Sequence, residues 1–211
     1  SGDGLWSCRD HILQYSYLTA KPRLKVPPDA LTYPPDFVAF RRSELQAQWT
    51  CIVLAGQRPG PDILAQHFGL DKKALIPLRG EPMISHVVRT LHKSPHISKI
   101  IILSQDIEAL RPAIDAAGGA ILVESQSSIS LSIKAQVETV GFASPILVTT
   151  ADHPLLTAEM LDEFLGKASG DLAIAMVERK TMLAQFPNAK RTWLRFSDGA
   201  WSGANLFALM S

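Results

Sequence analysis

The residues best suited to chemistry follow a short apolar run, Cys51–Ala55, which leads directly to Gly56. The loop beyond Gly56 carries further glycine and basic residues: Arg58, Gly60, Lys72 and Lys73. A strand that runs into such a loop presents backbone N–H groups and cations to an anion. The pattern therefore predicts an anion site, and a nucleotide phosphate is the anion that we expect there.

Three residues of this loop have distinct roles in such a site. Gly56 can adopt backbone angles that bring N–H groups close to a ligand. Arg58 offers a planar fork for phosphate oxygens, and Lys73 offers a mobile point charge. The spacing matches neither the Walker loop GxxxxGK[ST] nor the dinucleotide fingerprint GxGxxG. A surface loop with solvated basic residues is the alternative that the local sequence leaves open.

A second polar position follows the apolar run Ile146–Val148, where the chain continues through two threonines to Asp152. Ligands of open α/β sheets bind beyond the carboxyl ends of the strands. Because Gly56 and Asp152 each follow such a strand, we expect them at one edge of the sheet. A carboxylate that faces phosphate-binding groups there is suited to hold Mg²⁺. The alternative is that Asp152 only starts the turn before the next helix.

Elements that could position these residues alternate regularly from Trp49 onward. The predicted strands are Cys51–Ala55, Ile100–Leu103, Ala120–Val123, Ile146–Val148 and Leu172–Val177. The predicted helices are Pro82–His92, Ile107–Ala117, Ile129–Val140 and one that is capped by Thr157. This order predicts an α/β fold of three layers, a mostly parallel mixed sheet with helices on both faces. Alternating residues around Asp198–Gly199 predict that it ends in an antiparallel hairpin over Thr192–Leu209.

The composition indicates a globular protein and distinguishes two parts of the chain. The 211 residues are 46% hydrophobic and 19% charged, which is typical of a globular protein with a full core. Residues 1–48 contain two proline pairs and no sustained periodicity, so we expect an irregular N-terminal extension before a domain over residues 49–211. The composition carries no signal for an oligomeric state.

The charge and the cysteine count exclude further classes. A net charge of +1 does not favour binding to nucleic acid or to a membrane surface. No apolar run approaches the roughly 18 residues of a membrane span, and no signal peptide is evident, so we expect a cytoplasmic protein. Cys8 and Cys51 lack metal-ligand spacing, and Cys51 is expected to be a buried, reduced thiol.

Three segments, LAGQRPG, KALIPLRGEPMISHVVRTL and ADHPLLT, together resemble the nucleotidyltransferases with a glycosyltransferase-A-like fold. Within them the chain is most similar to the group of the molybdenum-cofactor guanylyltransferases and related cytidylyl- and sugar-nucleotide-forming enzymes. The resemblance covers about residues 50–209 and is specific as a combination. It implies a Rossmann-like fold of the nucleotide-diphospho-sugar transferase type. It also implies Mg²⁺-dependent transfer of an NMP group from an NTP, with GTP as one candidate, to a phosphorylated small-molecule acceptor, releasing pyrophosphate.

The resemblance also assigns residues. It implies catalytic roles for Arg58, Lys73 and Asp152, with Asp152 as the metal ligand. The implied nucleotide-binding residues are Leu54, Ala55, Gly56, Arg58, Gly60, Lys73, Ser130 and Asn205. The alternative for Ser130 is a serine cluster that caps a helix, and the alternative for Asn205 is a local hydrogen bond within a strand. His153 lies beside Asp152, but this chemistry seldom needs a protein base.

The chain departs from the family pattern in three places. Arg58 precedes the second glycine of the loop, and the insertion Pro61–Asp71 separates that loop from Lys73. The second metal carboxylate of the family usually lies further along the chain than Ser211, so either the native protein is longer or its metal site is incomplete. Two alternatives to an enzyme therefore stay open. One is a non-catalytic nucleotide-binding or regulatory domain, and the other is a structural domain without a ligand.

Overall fold

The computed structural model describes residues 15–19, 48–57, 60–140 and 145–210. The strands are β1 Tyr15–Thr19, β2 Trp49–Leu54, β3 Pro77–Leu78, β4 Glu81–Pro82, β5 Ile97–Ser104, β6 Ile121–Glu124, β7 Ile146–Thr150, β8 Leu172–Glu178, β9 Leu194–Phe196 and β10 Gly199–Leu209. The helices are α1 Ile63–His67, α2 Met83–Lys93, α3 Ile107–Asp115, α4 Ile129–Val140, α5 Ala158–Lys167 and α6 Arg179–Gln185, with a 3₁₀ helix at Lys73–Leu75.

The large sheet has the strand order β1-β8-β10-β7-β2-β5-β6, and β9 pairs with β10. Strands β7, β2, β5 and β6 are mutually parallel, whereas β10 is antiparallel to both β7 and β8. Because β2 lies between β7 and β5, the loops that follow these three strands emerge side by side at one edge. The carboxyl ends of β2 and β7 are the positions where the sequence places Gly56 and Asp152.

Helices cover the sheet on both faces, because successive side chains of each buried strand point to opposite sides. Cys51 and Val53 pack in a large cluster with the buried faces of α2, α3 and α5. Ile52 packs on the other side, where Ile133 and Val137 of α4 cover it. The predicted three-layer α/β class with helices on both faces is therefore confirmed, and Cys51 is fully buried with a raised thiol pKa caused by desolvation.

Polar side chains fix where the helices begin. The Asp62, Asp106 and Thr157 side chains accept hydrogen bonds from backbone N–H groups three residues later, as helix N-caps do. Asp106 lies two residues after the end of β5, so its cap joins strand to helix at the carboxyl edge of the sheet. Its pKa is lowered, first by the Ala109 N–H and then by Lys72, whose Nζ lies 3.3 Å from Oδ2. The basic loop is thereby tied to the end of β5.

Several elements differ from the sequence prediction. Helix α1 lies within the insertion between Gly60 and Lys73, and α6 follows β8; neither was predicted, because both are only five to seven residues long. The predicted terminal hairpin is present as β9 and β10, which pair across Ser197–Asp198.

Strand β1 lies inside the segment predicted to be an irregular extension, where it pairs antiparallel with β8. Its sequence, YSYLT, has the aromatic and β-branched content that favours a strand, and the proline pairs come later in the chain. The other residues of 1–47 lie outside the described residues, so the predicted domain boundary stays a prediction.

Candidate functional site

Lys73 and Asp152 meet at the carboxyl edge of the sheet. Lys73 opens the 3₁₀ helix, Asp152 follows β7, and the Lys73 Nζ lies 2.5 Å from the Asp152 Oδ2. Each side chain is 37% exposed, so the pair lies at the surface and a ligand can reach it. The sequence prediction that these two segments converge on one edge agrees with this contact.

The second carboxylate oxygen of Asp152 also has a partner. The Thr150 hydroxyl donates to Oδ1 over 2.6 Å, from the last residue of β7. Burial opposes ionisation of Asp152, but hydrogen bonds from Lys73 and Thr150 together with the Lys73 charge outweigh it and lower the pKa. Asp152 is therefore a carboxylate at neutral pH, oriented at both oxygens.

His153 lies beside this carboxylate in a less polar environment. Burial lowers the His153 pKa; the Asp152 charge acts in the opposite direction and the Arg191 charge adds to the lowering. The Nδ1 atom is buried and has no hydrogen-bond partner among the described residues. The imidazole is therefore neutral at neutral pH, and Arg191 is the cation whose charge acts on it.

The glycine loop is held by the side chain of Gln105, which follows β5. Gln105 Oε1 accepts from the Gln57 N–H at 3.0 Å, and Gln105 Nε2 donates to the Gln57 carbonyl at 3.2 Å. A Cβ added to Gly56 would lie 3.1 Å from Gln105 Oε1, so glycine lets this carboxamide approach. The two bonds form a bidentate contact, which we call the Gln105 clamp, and it holds the backbone at Gln57.

The predicted nucleotide-binding residues of the loop divide into three groups. The Leu54 carbonyl accepts from the Ala151 N–H and the Ala55 N–H donates to the Leu103 carbonyl, so both groups are used within the sheet region. Gly60 has a φ of 98°, and its carbonyl accepts from Gln57 Nε2 at 3.4 Å. Arg58 lies outside the described residues, and its predicted catalytic and phosphate-binding role stays a prediction.

Ser130 lies in the first turn of α4, where it is exposed. Its hydroxyl is 3.1 Å from that of Ser128, which in turn caps the Leu131 N–H. Ser132 is buried; it accepts from the Gln126 N–H and donates to the Ser128 carbonyl. The cluster thus performs the capping role that was the alternative for Ser130, and a nucleotide contact by Ser130 stays a prediction.

Asn205 lies in an irregular part of β10. The register with β8 shifts between Gly203 and Phe207, and Asn205 has a φ of 56°. A non-glycine residue in the left-handed region costs energy and is enriched at functional sites. The next residue, Leu206, pairs with Thr149 of β7, so the bulge lies beside the strand that ends at Thr150. The structure therefore brings Asn205 to the Asp152 end of β7.

The sequence prediction missed Gln105, Thr150 and Arg191. Gln105 directly follows β5, and Thr150 ends β7, so the rule that ligands bind beyond the carboxyl ends of strands could have identified both. Arg191 lies between α6 and β9, where it donates to Ser202 and Gly203 of β10. No local motif marks it, because its partners lie 11 and 12 residues later, in another strand.

The donor set agrees with Mg²⁺ bound largely by substrate. Mg²⁺ in phosphate-transfer sites commonly takes one or two carboxylates, and substrate phosphates and water supply the other oxygens. Asp152 supplies one oriented carboxylate. The described part of the chain contains no group of three or more His, Cys, Asp or Glu side chains placed to hold a metal ion. A protein-only metal cage among those residues is therefore excluded.

Comparison with known proteins agrees with this architecture. The chain is 29% identical to a 3-deoxy-manno-octulosonate cytidylyltransferase of Geotalea daltonii, over 53% of this chain and 44% of that protein. It is 32% identical to a 2-C-methyl-D-erythritol 4-phosphate cytidylyltransferase of Symbiobacterium thermophilum, over 46% of this chain and 42% of that one. The chain thus spans less than half the length of these curated relatives. Among the described helices, none is long and apolar enough to cross a bilayer.

Solved structures give the same fold. A hypothetical transferase from Thermus thermophilus is similar with a TM-score of 0.60 and 30% identity, over 77% of this chain and 65% of that one. A 4-diphosphocytidyl-2C-methyl-D-erythritol synthase from Anaerococcus prevotii matches in fold, with a TM-score of 0.55 and 13% identity, over 79% and 72% of the two chains. The MobA-like NTP transferase domain family matches residues 51–197, which include most of β2, the glycine loop, Lys73 and Asp152. The chain belongs to the MobA-like NTP transferase domain family.

Proposed function

We propose that this chain transfers an NMP group from an NTP to a phosphorylated small-molecule acceptor and releases pyrophosphate. The observation that carries the proposal is the contact between Lys73 and Asp152 beside the Gly56 loop. A cation suited to phosphate and an ionised carboxylate are in contact here, so one ligand can reach both. The Gln105 clamp supports the proposal, because a backbone that is already held at Gln57 loses less entropy when it binds phosphate.

Each residue has a part in this proposal. The Lys73 ammonium and the Arg58 guanidinium neutralise the triphosphate, and the Gly56 and Gly60 amides bind its oxygens. Leu54 and Ala55 hold the loop in the sheet and form the floor beneath the nucleotide. Ser130 and Asn205 contact the nucleotide from the two flanking elements, α4 and β10.

The reaction needs little acid–base chemistry from the protein. An oxygen of the acceptor phosphate, which is already ionised at neutral pH, forms a bond to the α-phosphorus. The bond from that phosphorus to the bridging oxygen of the pyrophosphate breaks, and its electron pair leaves with pyrophosphate. Positioning and charge neutralisation therefore account for the rate. The neutral His153 is not required as a base.

Asp152 is the residue that would hold Mg²⁺ in this site. When bound, the ion neutralises phosphate charge in the reactant and in the leaving group. Thr150 keeps one oxygen of Asp152 in place through its hydroxyl. Lys73 has its ammonium on the other oxygen, and it is therefore within reach of any phosphate that approaches Asp152.

Experiment must identify the nucleotide base and the phosphorylated acceptor. The curated relatives named above are cytidylyltransferases, whereas the sequence resemblance includes guanylyltransferases, so CTP and GTP are the first candidates. The name of one relative contains a phosphorylated acceptor, 2-C-methyl-D-erythritol 4-phosphate. The cytoplasmic location expected from the sequence suits these soluble metabolites and stays a prediction.

Pyrophosphate release tests the proposal. The four NTPs are combined with Mg²⁺ and a panel of phosphorylated acceptors, and wild type is compared with Asp152→Asn and Lys73→Met. Loss of one such charge-stabilising group lowers the rate by about two to three orders of magnitude. Lys134→Met, which removes an exposed lysine of α4, is the matched control and should keep the wild-type rate. Wild-type rates in both site variants would reject the assignment.

A non-catalytic nucleotide-binding domain is the second candidate. The observation that favours it is that the described residues form no cluster of three or more metal-ligating side chains around Asp152. Calorimetry separates the two functions, because a binding domain takes up an NTP with Mg²⁺ but releases no pyrophosphate with any acceptor. A structural domain would show neither binding nor a rise in melting temperature with any NTP.

A further inference from the structure

Arg191 is an exposed arginine that is nevertheless fixed in place. It lies between α6 and β9, and two of its guanidinium nitrogens donate to β10. Nε donates to the Ser202 hydroxyl over 3.2 Å, and Nη2 donates to the Gly203 carbonyl over 2.7 Å. A side chain with this many rotatable bonds loses considerable entropy when it is held at two points. Its position therefore needs an explanation.

The strand that holds Arg191 leads past the end of β7. Leu206 of β10 pairs with Thr149 of β7, and the two strands are antiparallel. Residues that precede Leu206, including Ser202 and Gly203, therefore continue beyond the carboxyl end of β7 towards the level of Asp152. Arg191 is thus attached on the β10 side of Asp152.

Lys73 reaches Asp152 from the opposite side. Its neighbour Lys72 pairs with Asp106, which follows β5, so the Lys72–Lys73 segment lies over the β2 and β5 side of the edge. Asp152 follows β7, which stands between β2 and β10 in the sheet. Lys73 therefore contacts the carboxylate from the side of β2, and Arg191 is attached to β10, the strand on the other side of β7.

The charge of Arg191 is uncompensated. Both of its hydrogen-bond acceptors are neutral, and no carboxylate within the described ranges lies at ion-pair distance from it. Its charge acts on His153, whose pKa is lowered first by burial and additionally by Arg191. A guanidinium that is held by neutral acceptors keeps donors and a full charge for an anion, and its planar shape suits phosphate.

We propose that Arg191 binds the phosphate monoester of the acceptor, on the opposite side of Asp152 from the leaving pyrophosphate. This inference rests on the proposed function. In an in-line displacement at phosphorus, the attacking and leaving oxygens lie on opposite sides of the reacting atom. Two cations on opposite sides of the carboxyl end of β7 match that requirement. Lys73 then serves the leaving group, and Arg191 serves the attacking one.

The test uses inorganic phosphate as the probe of the acceptor subsite. Non-hydrolysable α,β-methylene analogues of CTP and GTP with Mg²⁺ first saturate the triphosphate side. Phosphate is then titrated while NMR follows the Arg191 Nε–H and His153 ring signals. We expect saturable shifts of both residues. Arg191→Met should weaken phosphate binding about 10- to 100-fold, as expected for loss of a charged hydrogen-bond donor, and leave the analogue Kd unchanged.

Two further variants separate charge from structure. Arg191→Lys keeps the charge but loses the fork, so its phosphate affinity should lie between those of wild type and Arg191→Met. Arg195→Met removes an exposed arginine of β9 and should bind phosphate as the wild type does. Melting temperatures show whether each variant is folded, and Arg191→Lys provides the test if Arg191→Met is not.

The failures of the two proposals differ. The acceptor subsite would be overturned if wild type, Arg191→Met and Arg191→Lys bound phosphate equally well. Shifts that spare Arg191 and His153 would overturn it too. In both cases analogue binding, and with it the proposed function, would be unaffected. If no analogue binds but phosphate still shifts the Arg191 signals, Arg191 binds anions, and the proposed nucleotidyl transfer is rejected.

Discussion

At the scale of single residues, the site depends on how Asp152 is oriented. Thr150 and Lys73 each bond one carboxylate oxygen, and both favour the ionised form. The sequence predicted that Lys73 and Asp152 converge, because the carboxyl ends of parallel strands share an edge. It did not predict the Thr150 hydroxyl bond, because a threonine at a strand end is also what β-propensity alone would place there.

Thr150→Val should raise the Asp152 pKa. The reason is that the ionised form loses one hydrogen bond. Ionised Asp152 contributes stability that is present above the ordinary carboxyl pKa and is lost as the pH falls through the folded pKa. In the variant this loss should therefore occur at higher pH than in wild type. A ¹³C NMR titration of the Asp152 carboxyl carbon measures this change.

Thr149→Val is the matched control for Thr150→Val. The Thr149 hydroxyl is buried and has no partner among the described residues, so its replacement by a methyl group should leave the Asp152 pKa unchanged. It should also leave the protein equally stable or stabilise it by about 1 kcal/mol, because an unpaired buried hydroxyl is removed. Identical titration curves for Thr150→Val and wild type would contradict the bond to Oδ1.

At the scale of elements, the glycine loop and the end of β5 act as a unit through the Gln105 clamp. The prediction of strands β2 and β5 was correct because buried apolar runs with β-branched residues have a clear pattern. The clamp could not be predicted, because it depends on the distance between two loops and not on either sequence. The short helix α1 was missed for a related reason, since five residues are too few for a helical period to appear.

The clamp predicts coupling between Gly56→Ala and Gln105→Ala. The alanine Cβ would press on the Gln105 carboxamide, and Gln105→Ala removes two hydrogen bonds of about 1 kcal/mol each. Each single variant should therefore weaken binding of an NTP analogue by roughly 10-fold and lower the melting temperature. The double variant should be about as weak as either single one, because both changes disrupt the same contact. Kd values are measured by calorimetry. If the fold-change in the double variant equals the product of the two single fold-changes, the two residues act independently.

At the scale of the whole molecule, the alternation of strands and helices defined the fold class, and the antiparallel end of the sheet followed from the turn at Asp198–Gly199. The order of strands was not readable. Strand β10 inserts between β7 and β8, and this pairing joins segments that are far apart in the chain. The insertion is what brings Arg191 and Asn205 to the Asp152 side, so half of the proposed site depends on a long-range pairing without a local signal.

The substitution Leu147→Ala tests how much β7 contributes to the stability of the whole fold. The Leu147 side chain is fully buried in the cluster that joins the central strands to α2, α3 and α5. Leu147→Ala should cost about 2–5 kcal/mol of unfolding free energy, through lost burial and the cavity that remains. Leu155→Ala changes a leucine that is 81% exposed in the following turn and should cost less than about 0.5 kcal/mol. Urea unfolding measures both, and equal losses would contradict this account of the core.

The position of β10 has a consequence for biosynthesis. Until residues 199–209 have left the ribosome, β7 and β8 each present a bare edge, and the nascent sheet is split into two halves. Bare strand edges invite pairing with other chains. The growing polypeptide is therefore prone to mispairing during this interval, and the proposed site is complete only when β10 closes the gap.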